Sequence, residues 1–246
     1  MKIALFIPCY IDQFYPQVAV ATLELLEKAG CQVHFPANQT CCGQPMANAG
    51  FEHLSGDCNK RFVENFADYD YIVCPSGSCT LHIKDHLHVE ENEQAATQIR
   101  KRVYELVEFL TDILKVENLS ARFPHRVGLH QSCHGQRGLH LSQMSELNAL
   151  PFSKPEQLLK QVVDIELVAL SRKDECCGFG GTFCVSEEAV SVKMGIDRIA
   201  DHQANGVEYI TATDTSCLMH LEGILKRQGS TIKTIHIAEI LNSLLP

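Results

Sequence analysis

Short apolar runs rich in β-branched residues alternate along this chain with longer stretches of helical period. Lys2–Pro8 is the first apolar run and reads as a strand. Pro16 to Ala29 then carries apolar residues at helical spacing, with Pro16 suited to a first turn and Gly30 to a C-terminal cap. Cys31–Phe35 reads as a second strand, and Cys41-Cys42-Gly43-Gln44-Pro45 is the next strong turn signal. Pro45 through Phe66 reads as helix, weakened at Gly50 and Gly56. Tyr69–Val73 is a third strand, closed by Pro75-Ser76-Gly77-Ser78, and about Cys79 to Val116 reads as one long amphipathic helical stretch. Strands separated by helices pair in parallel, so the pattern predicts an α/β sheet.

The second half repeats this order. Arg126–His130 is a strand ending in Ser132-Cys133-His134, as the first strand ends in Cys9-Tyr10. Ile165–Leu170 leads towards Cys176-Cys177-Gly178, the counterpart of Cys41-Cys42-Gly43. Glu208–Ala212 leads towards Cys217-Leu218-Met219-His220, the counterpart of Cys79-Thr80-Leu81-His82. The predicted architecture is α/β, two similar Rossmann-like repeats with parallel sheets, over residues 1–120 and 121–246. A linker is expected at Ser120 to Pro124.

Composition narrows the class. With 246 residues, 45% hydrophobic and 21% charged, the chain has the makings of an ordinary core and none of the signatures of a disordered, collagenous or coiled-coil protein. No run approaches the roughly 18 apolar residues of a transmembrane helix. A net charge of −9 argues against general nucleic-acid binding, which needs concentrated Lys and Arg. Met1-Lys2, the apolar stretch to Ile11 and Ala19-Val20-Ala21 faintly resemble a secretory signal. Asp12 and Gln13 interrupt that stretch and cleavage would discard Cys9, so the expectation is an unprocessed, cytoplasmic chain.

The 12 cysteines are the anomaly. In a reducing compartment, clustered cysteines more often bind metal or do redox chemistry than form disulfides. Eight fall into two matched sets: Cys9, Cys41, Cys42 and Cys79, with gaps of 31 and 36 residues, and Cys133, Cys176, Cys177 and Cys217, with gaps of 42 and 39. Each follows a predicted strand, and in a parallel sheet the C-terminal strand ends share one edge, where ligand sites form. Four converging thiolates suit zinc or an iron–sulfur cluster. Zinc sites more usually carry C-x₂₋₄-C pairs, whereas strictly adjacent cysteines reach two irons of a cluster more naturally than two corners of one zinc tetrahedron. Gly43 and Gly178 supply the turn that adjacent ligands require. Structural thiols or a reversible vicinal disulfide are the competing readings; Cys31 and Cys58 read as packing residues, and Cys74 and Cys184 stay unassigned. His82, His86 and His88 read as a solvated polar face. His130, His134 and His220 flank the proposed ligands, where tuning, surface and packing roles are open alternatives. No G-x-S-x-G elbow or P-loop is present, and Gly178-Phe179-Gly180-Gly181 lacks the strand context of a dinucleotide fingerprint.

The doubled Cys-Cys-Gly motif resembles the cysteine-rich CCG-domain proteins, which include the heterodisulfide reductase B subunit and the iron–sulfur subunits of glycolate and glycerol-3-phosphate dehydrogenases. The likeness runs nearly end to end through Cys41-Cys42-Gly43-Gln44-Pro45, Pro75-Ser76-Gly77-Ser78-Cys79, Cys176 to Phe183 and His236-Ile237-Ala238-Glu239-Ile240-Leu241-Asn242. It implies a cytoplasmic electron-transfer subunit with one or two iron–sulfur clusters of 4Fe–4S type, held by the eight paired cysteines. It further implies a multi-protein system oxidising L-lactate to pyruvate, with a ferredoxin-like iron–sulfur partner and a further subunit. The wider family often closes each motif with C-x-x-C, whereas this chain has Ser76 and Asp214 at the upstream positions. A zinc-binding or thiol redox-sensing scaffold and a heterodisulfide-reductase-type enzyme are the alternatives.

Overall fold

β1 (Ile3–Leu5) opens the chain fully buried, as a strand covered on both faces must be. The computed structural model describes residues 1–243. α1 (Cys9–Phe14) and α2 (Pro16–Lys28) follow, then β2 (Val33–His34), α3 (Gln44–Asn48), α4 (Gly56–Phe66), β3 (Tyr71–Cys74), α5 (Gly77–His86), α6 (Glu93–Arg100), β4 (Val103–Glu105) and α7 (Leu106–Glu108). The four strands form one parallel sheet in the order β2-β1-β3-β4. This first unit spans Met1–Leu114. Phe6, Phe62, Phe66, Ile72, Ile83 and Ile99 anchor its core.

The second unit, from Lys115 onward, uses the same topology. β5 (Arg126–Leu129), α8 (Lys154–Leu159), β6 (Glu166–Leu167), α9 (Phe183–Ser186), α10 (Glu188–Ala204), β7 (Tyr209–Ala212), α11 (Thr215–Arg227), β8 (Lys233–His236) and α12 (Ile237–Leu241) follow in order. Its parallel sheet runs β6-β5-β7-β8, the first order repeated. Ile199, Ile210, Leu218, Leu221 and Leu225 lie in its core. The expected α/β architecture of two similar repeats with parallel sheets is the one observed. Among the described residues, no helix is long and apolar enough to cross a membrane.

Three expectations are corrected. The stretch from Cys79 to Val116 is not one helical run: α5 ends at His86, and β4 interrupts the rest. The strand is invisible to periodicity because it is only Val103-Tyr104-Glu105, with a buried acid at its end. Glu105 turns that end into a helix cap, its carboxylate accepting from the Val107 and Glu108 amides. The segment Ser120 to Pro124 is not a free linker either. Ala121 is fully buried, its carbonyl accepts from Val163 N at 2.9 Å, and Phe123 N donates to Val163 O at 3.0 Å. The helix expected from Pro45 to Phe66 divides near Gly50 and Gly56 into α3, a 3₁₀ turn over Glu52–Ser55, and α4.

Candidate metal centre

In each unit four cysteines come from three loops beyond strand ends. Cys9 is the first residue of α1, just past β1; Cys41 and Cys42 precede α3; and Cys79 lies in the first turn of α5, just past β3. In the second unit Cys133 follows β5, Cys176 and Cys177 lie in the loop after β6, and Cys217 lies in the first turn of α11. Parallel pairing brings these ends to one edge, which is why residues 70 or more apart in sequence meet.

The sulfurs meet in the same order in both units. Cys9 Sγ lies 3.9 Å from Cys41 Sγ, Cys41 contacts Cys42, and Cys42 contacts Cys79. Correspondingly, Cys133 contacts Cys176, Cys176 contacts Cys177, and Cys177 contacts Cys217. All are free thiols, and 3.9 Å is far beyond a disulfide bond of about 2.05 Å.

The loops are built to favour thiolate at one position of each set. Gly43 N donates to Cys41 Sγ at 3.4 Å, and Gly178 N to Cys176 Sγ at 3.3 Å. Both glycines adopt left-handed backbone, φ +94° and +89°, and both are closely packed, Gly43 against the turn before α4 and Gly178 against α10. A Cβ on Gly43 would sit 3.0 Å from Ser55 Cβ; one on Gly178 would sit 2.6 Å from Ser191 O. Neighbouring thiols hold Cys41 and Cys176 well below an ordinary thiol pKa, through bonds from Cys42 and Cys9 in one case and Cys133 and Cys177 in the other. Their partners are correspondingly raised: Cys9 and Cys133 by donating to Cys41 and Cys176, with burial adding to the shift. Cys217 is lowered to about 6, first by the Cys177 thiol and then by His130 beside it.

Histidines enter in ways the sequence did not resolve. His82 is buried rather than on a solvated face, its pKa lowered to about 4 by burial and by His86, which stacks on it at 4.9 Å. His130 is 2% exposed, and one of its ring nitrogens lies with Cys177 Sγ and Cys217 Sγ in a group whose members are all within 4.8 Å of one another. His134 Nδ1 is 3.6 Å from Cys133 Sγ. Cys74 packs in the first core and Cys184 Sγ donates to Gly181 O at 3.0 Å. Cys31 and Cys58 are half-buried, Cys58 on α4. Ser76 Oγ accepts from Cys79 N at 3.3 Å, capping α5, and Asp214 at the equivalent position of α11 accepts from Ser132 Oγ at 2.6 Å.

The donor set fits a soft metal or a metal–sulfur cluster. Four thiols converge in each unit, an amide N–H aims at sulfur, and α5 in one unit and α11 in the other begin at the site, their N-termini favouring negative charge there. In the second unit, the buried His130 imidazole faces the Cys177 and Cys217 sulfurs.

This duplicated sheet with thiols at its strand ends defines a cysteine-rich domain protein. The CCG cysteine-rich domain profile matches residues 3–84 and 127–222, and the chain belongs to that family. It is 40% identical over 247 aligned positions to a protein of Geobacillus sp. (strain WCH70) named "Lactate utilization protein A", covering 99% of this chain and 100% of that one. Its identity to the protein of the same name from Bacillus subtilis (strain 168) is 37%, with the same coverage. Among solved structures, a hypothetical protein from Helicobacter pylori superposes with a TM-score of 0.59 at 13% identity, over 98% of this chain and 48% of that one, a likeness of fold.

Proposed function

We propose that this protein is an iron–sulfur electron-transfer subunit of a cytoplasmic multi-protein system that oxidises L-lactate to pyruvate. The observation that carries the reading is the duplicated convergence of four free thiols at strand ends, in a chain matching proteins named for lactate utilization along their whole length. Cys9, Cys41, Cys42 and Cys79 would hold one cluster, in the repeat of residues 1–120; Cys133, Cys176, Cys177 and Cys217 would hold the other, in residues 121–246. Bound clusters of 4Fe–4S type supply one-electron transfer.

Conversion of lactate to pyruvate releases two electrons and two protons, so two one-electron sites in a chain match the count. The sequence carries no flavin or nucleotide motif and no acid–base pair set for proton abstraction. The C–H bond of lactate is accordingly broken on a further subunit, and a ferredoxin-like iron–sulfur partner exchanges electrons with this one. What this chain contributes is burial and shape: Gly43 and Gly178 bring amide donors onto sulfur, while the surrounding core excludes water from Cys42, Cys177 and Cys217.

Anaerobic purification followed by iron, acid-labile sulfide and zinc determination tests the reading. Non-heme iron with matching sulfide is expected, and Cys42→Ser or Cys177→Ser should each lose about half of it. Iron-free protein that supports lactate oxidation with its partners would overturn the proposal. Stoichiometric zinc without sulfide would establish a scaffold in its place.

A further inference from the structure

The two units share a topology, yet beneath their thiols they are built from opposite materials. The strand registers pair Leu5 with Val73 and Leu129 with Thr211, so Phe6 and His130 occupy the same place, one residue past the first strand of each sheet. Phe6 N donates to Val73 O and His130 N to Thr211 O, confirming the equivalence. The helices that cover these positions also correspond. Ser55 packs on Gly43 and Ser191 on Gly178, and counting 7 and 11 residues onward gives Phe62 and Phe66 in one unit, Arg198 and His202 in the other.

In the first unit the three side chains are an aromatic plug. Phe6 lies 4.9 Å from Phe62 and 5.7 Å from Phe66, both edge-on. In the second unit the same three places hold His130, Arg198 and His202, all buried. Arg198 Nε donates to His202 Nε2 at 3.2 Å, and Arg198 is ion-paired with Asp201 at 3.2 Å. A Cβ on Gly128 would collide with the His202 ring, so the strand is glycine where that imidazole presses against it. His130 makes no hydrogen bond of ordinary geometry on Nδ1 or Nε2; what faces it is the Cys217 thiol, which it helps to hold as thiolate. Buried polar atoms are nearly always satisfied, and a buried imidazole whose close neighbours are two soft thiols is placed to share a metal with them.

We infer that His130 is a nitrogen ligand of the second centre, so that this site is a mixed cysteine–histidine centre while the first, closed by Phe6, is ligated by thiolates alone. The geometry supplies both requirements: a ring nitrogen mutually within 4.8 Å of Cys177 Sγ and Cys217 Sγ, and a buried, anchored His202 and Arg198 behind it that hold the site polar. Neutral imidazole is a common ligand for iron and zinc alike and coordinates alongside thiolate. The inference rests on the iron–sulfur reading and makes the two centres chemically unequal.

The test uses the full chain, reconstituted anaerobically with ferrous iron and sulfide, labelled with ¹⁵N-histidine and reduced. Pulsed electron paramagnetic resonance should detect one strongly coupled histidine nitrogen. That coupling should survive in Cys42→Ser and in His134→Gln, and vanish in Cys177→Ser and in His130→Gln. Because the labelled wild-type protein carries the decisive signal, poor folding of His130→Gln does not blunt the experiment. Full iron and sulfide without a strongly coupled nitrogen overturns the histidine ligand and leaves the iron–sulfur reading standing. A coupling that persists in His130→Gln, or is lost in Cys42→Ser, also overturns it. Absence of iron and sulfide overturns both.

Discussion

Gly43 and Gly178 show how one backbone dihedral places two ligands. Adjacent side chains diverge on a regular strand, and only a left-handed residue immediately after the pair folds the amide back onto the first sulfur. Gly43→Ala should cost about 1–2 kcal/mol for the left-handed conformation alone. Gly178→Ala should cost more, because its Cβ would also meet Ser191 O at 2.6 Å. Urea midpoints of the two variants measure that difference. His202 makes a second residue-scale prediction. Burial, with Arg198 and His130 adding to it, lowers its pKa to about 2 from an ordinary 6.5. Below 6.5 the unfolded chain therefore binds a proton that the folded chain refuses. Stability from this residue is complete above 6.5 and falls as pH drops, by up to about 1.4 kcal/mol per unit. Comparing wild type with His202→Gln at pH 7.5 and 5.5 (by urea denaturation) should show the wild type losing about 1.4 kcal/mol more.

At the scale of elements, the sites depend on where helices begin. Ser76 caps α5 and so fixes the turn that carries Cys79. Ser76→Ala should lose about 1 kcal/mol of stability while iron content is retained, since its hydroxyl serves the helix amide. Calorimetry with iron analysis checks both halves of that statement. Asp214 has a different local task, receiving the Ser132 hydroxyl and thereby tying the loop after β5 to the start of α11. The strands that sequence pattern located well, β1, β3, β5 and β7, are the central ones, whose mostly apolar composition follows from burial on both faces. The edge strand β4 escaped detection because Val103-Tyr104-Glu105 is too short to show a period and ends in a carboxylate. Glu105 is buried for capping, a role hydropathy counts as solvent exposure.

At the scale of the molecule, metal binding and folding should be linked. Groups that bind only the folded state stabilise it by mass action, and the four thiols left close together within each unit without metal repel once ionised. Anaerobic removal of iron by a chelator should therefore lower the midpoint of thermal unfolding, with re-addition of iron and sulfide restoring it. Differential scanning calorimetry reads the shift.

The sequence by itself determined the doubling, the parallel α/β architecture and the eight cysteines that repeat, because these are written in strand periodicity and in matched spacings. It left His82 on a solvated face and His130 among open alternatives, since a histidine's surroundings are not local in sequence. Tertiary structure alone put His82 against Gly43 and aligned Phe6 with His130 through strand register. It also revealed that α4 covers the first position with two phenylalanines, while α10 brings arginine and histidine to the second unit. Register and helix packing join residues about 70 positions apart, and no window along the chain contains both.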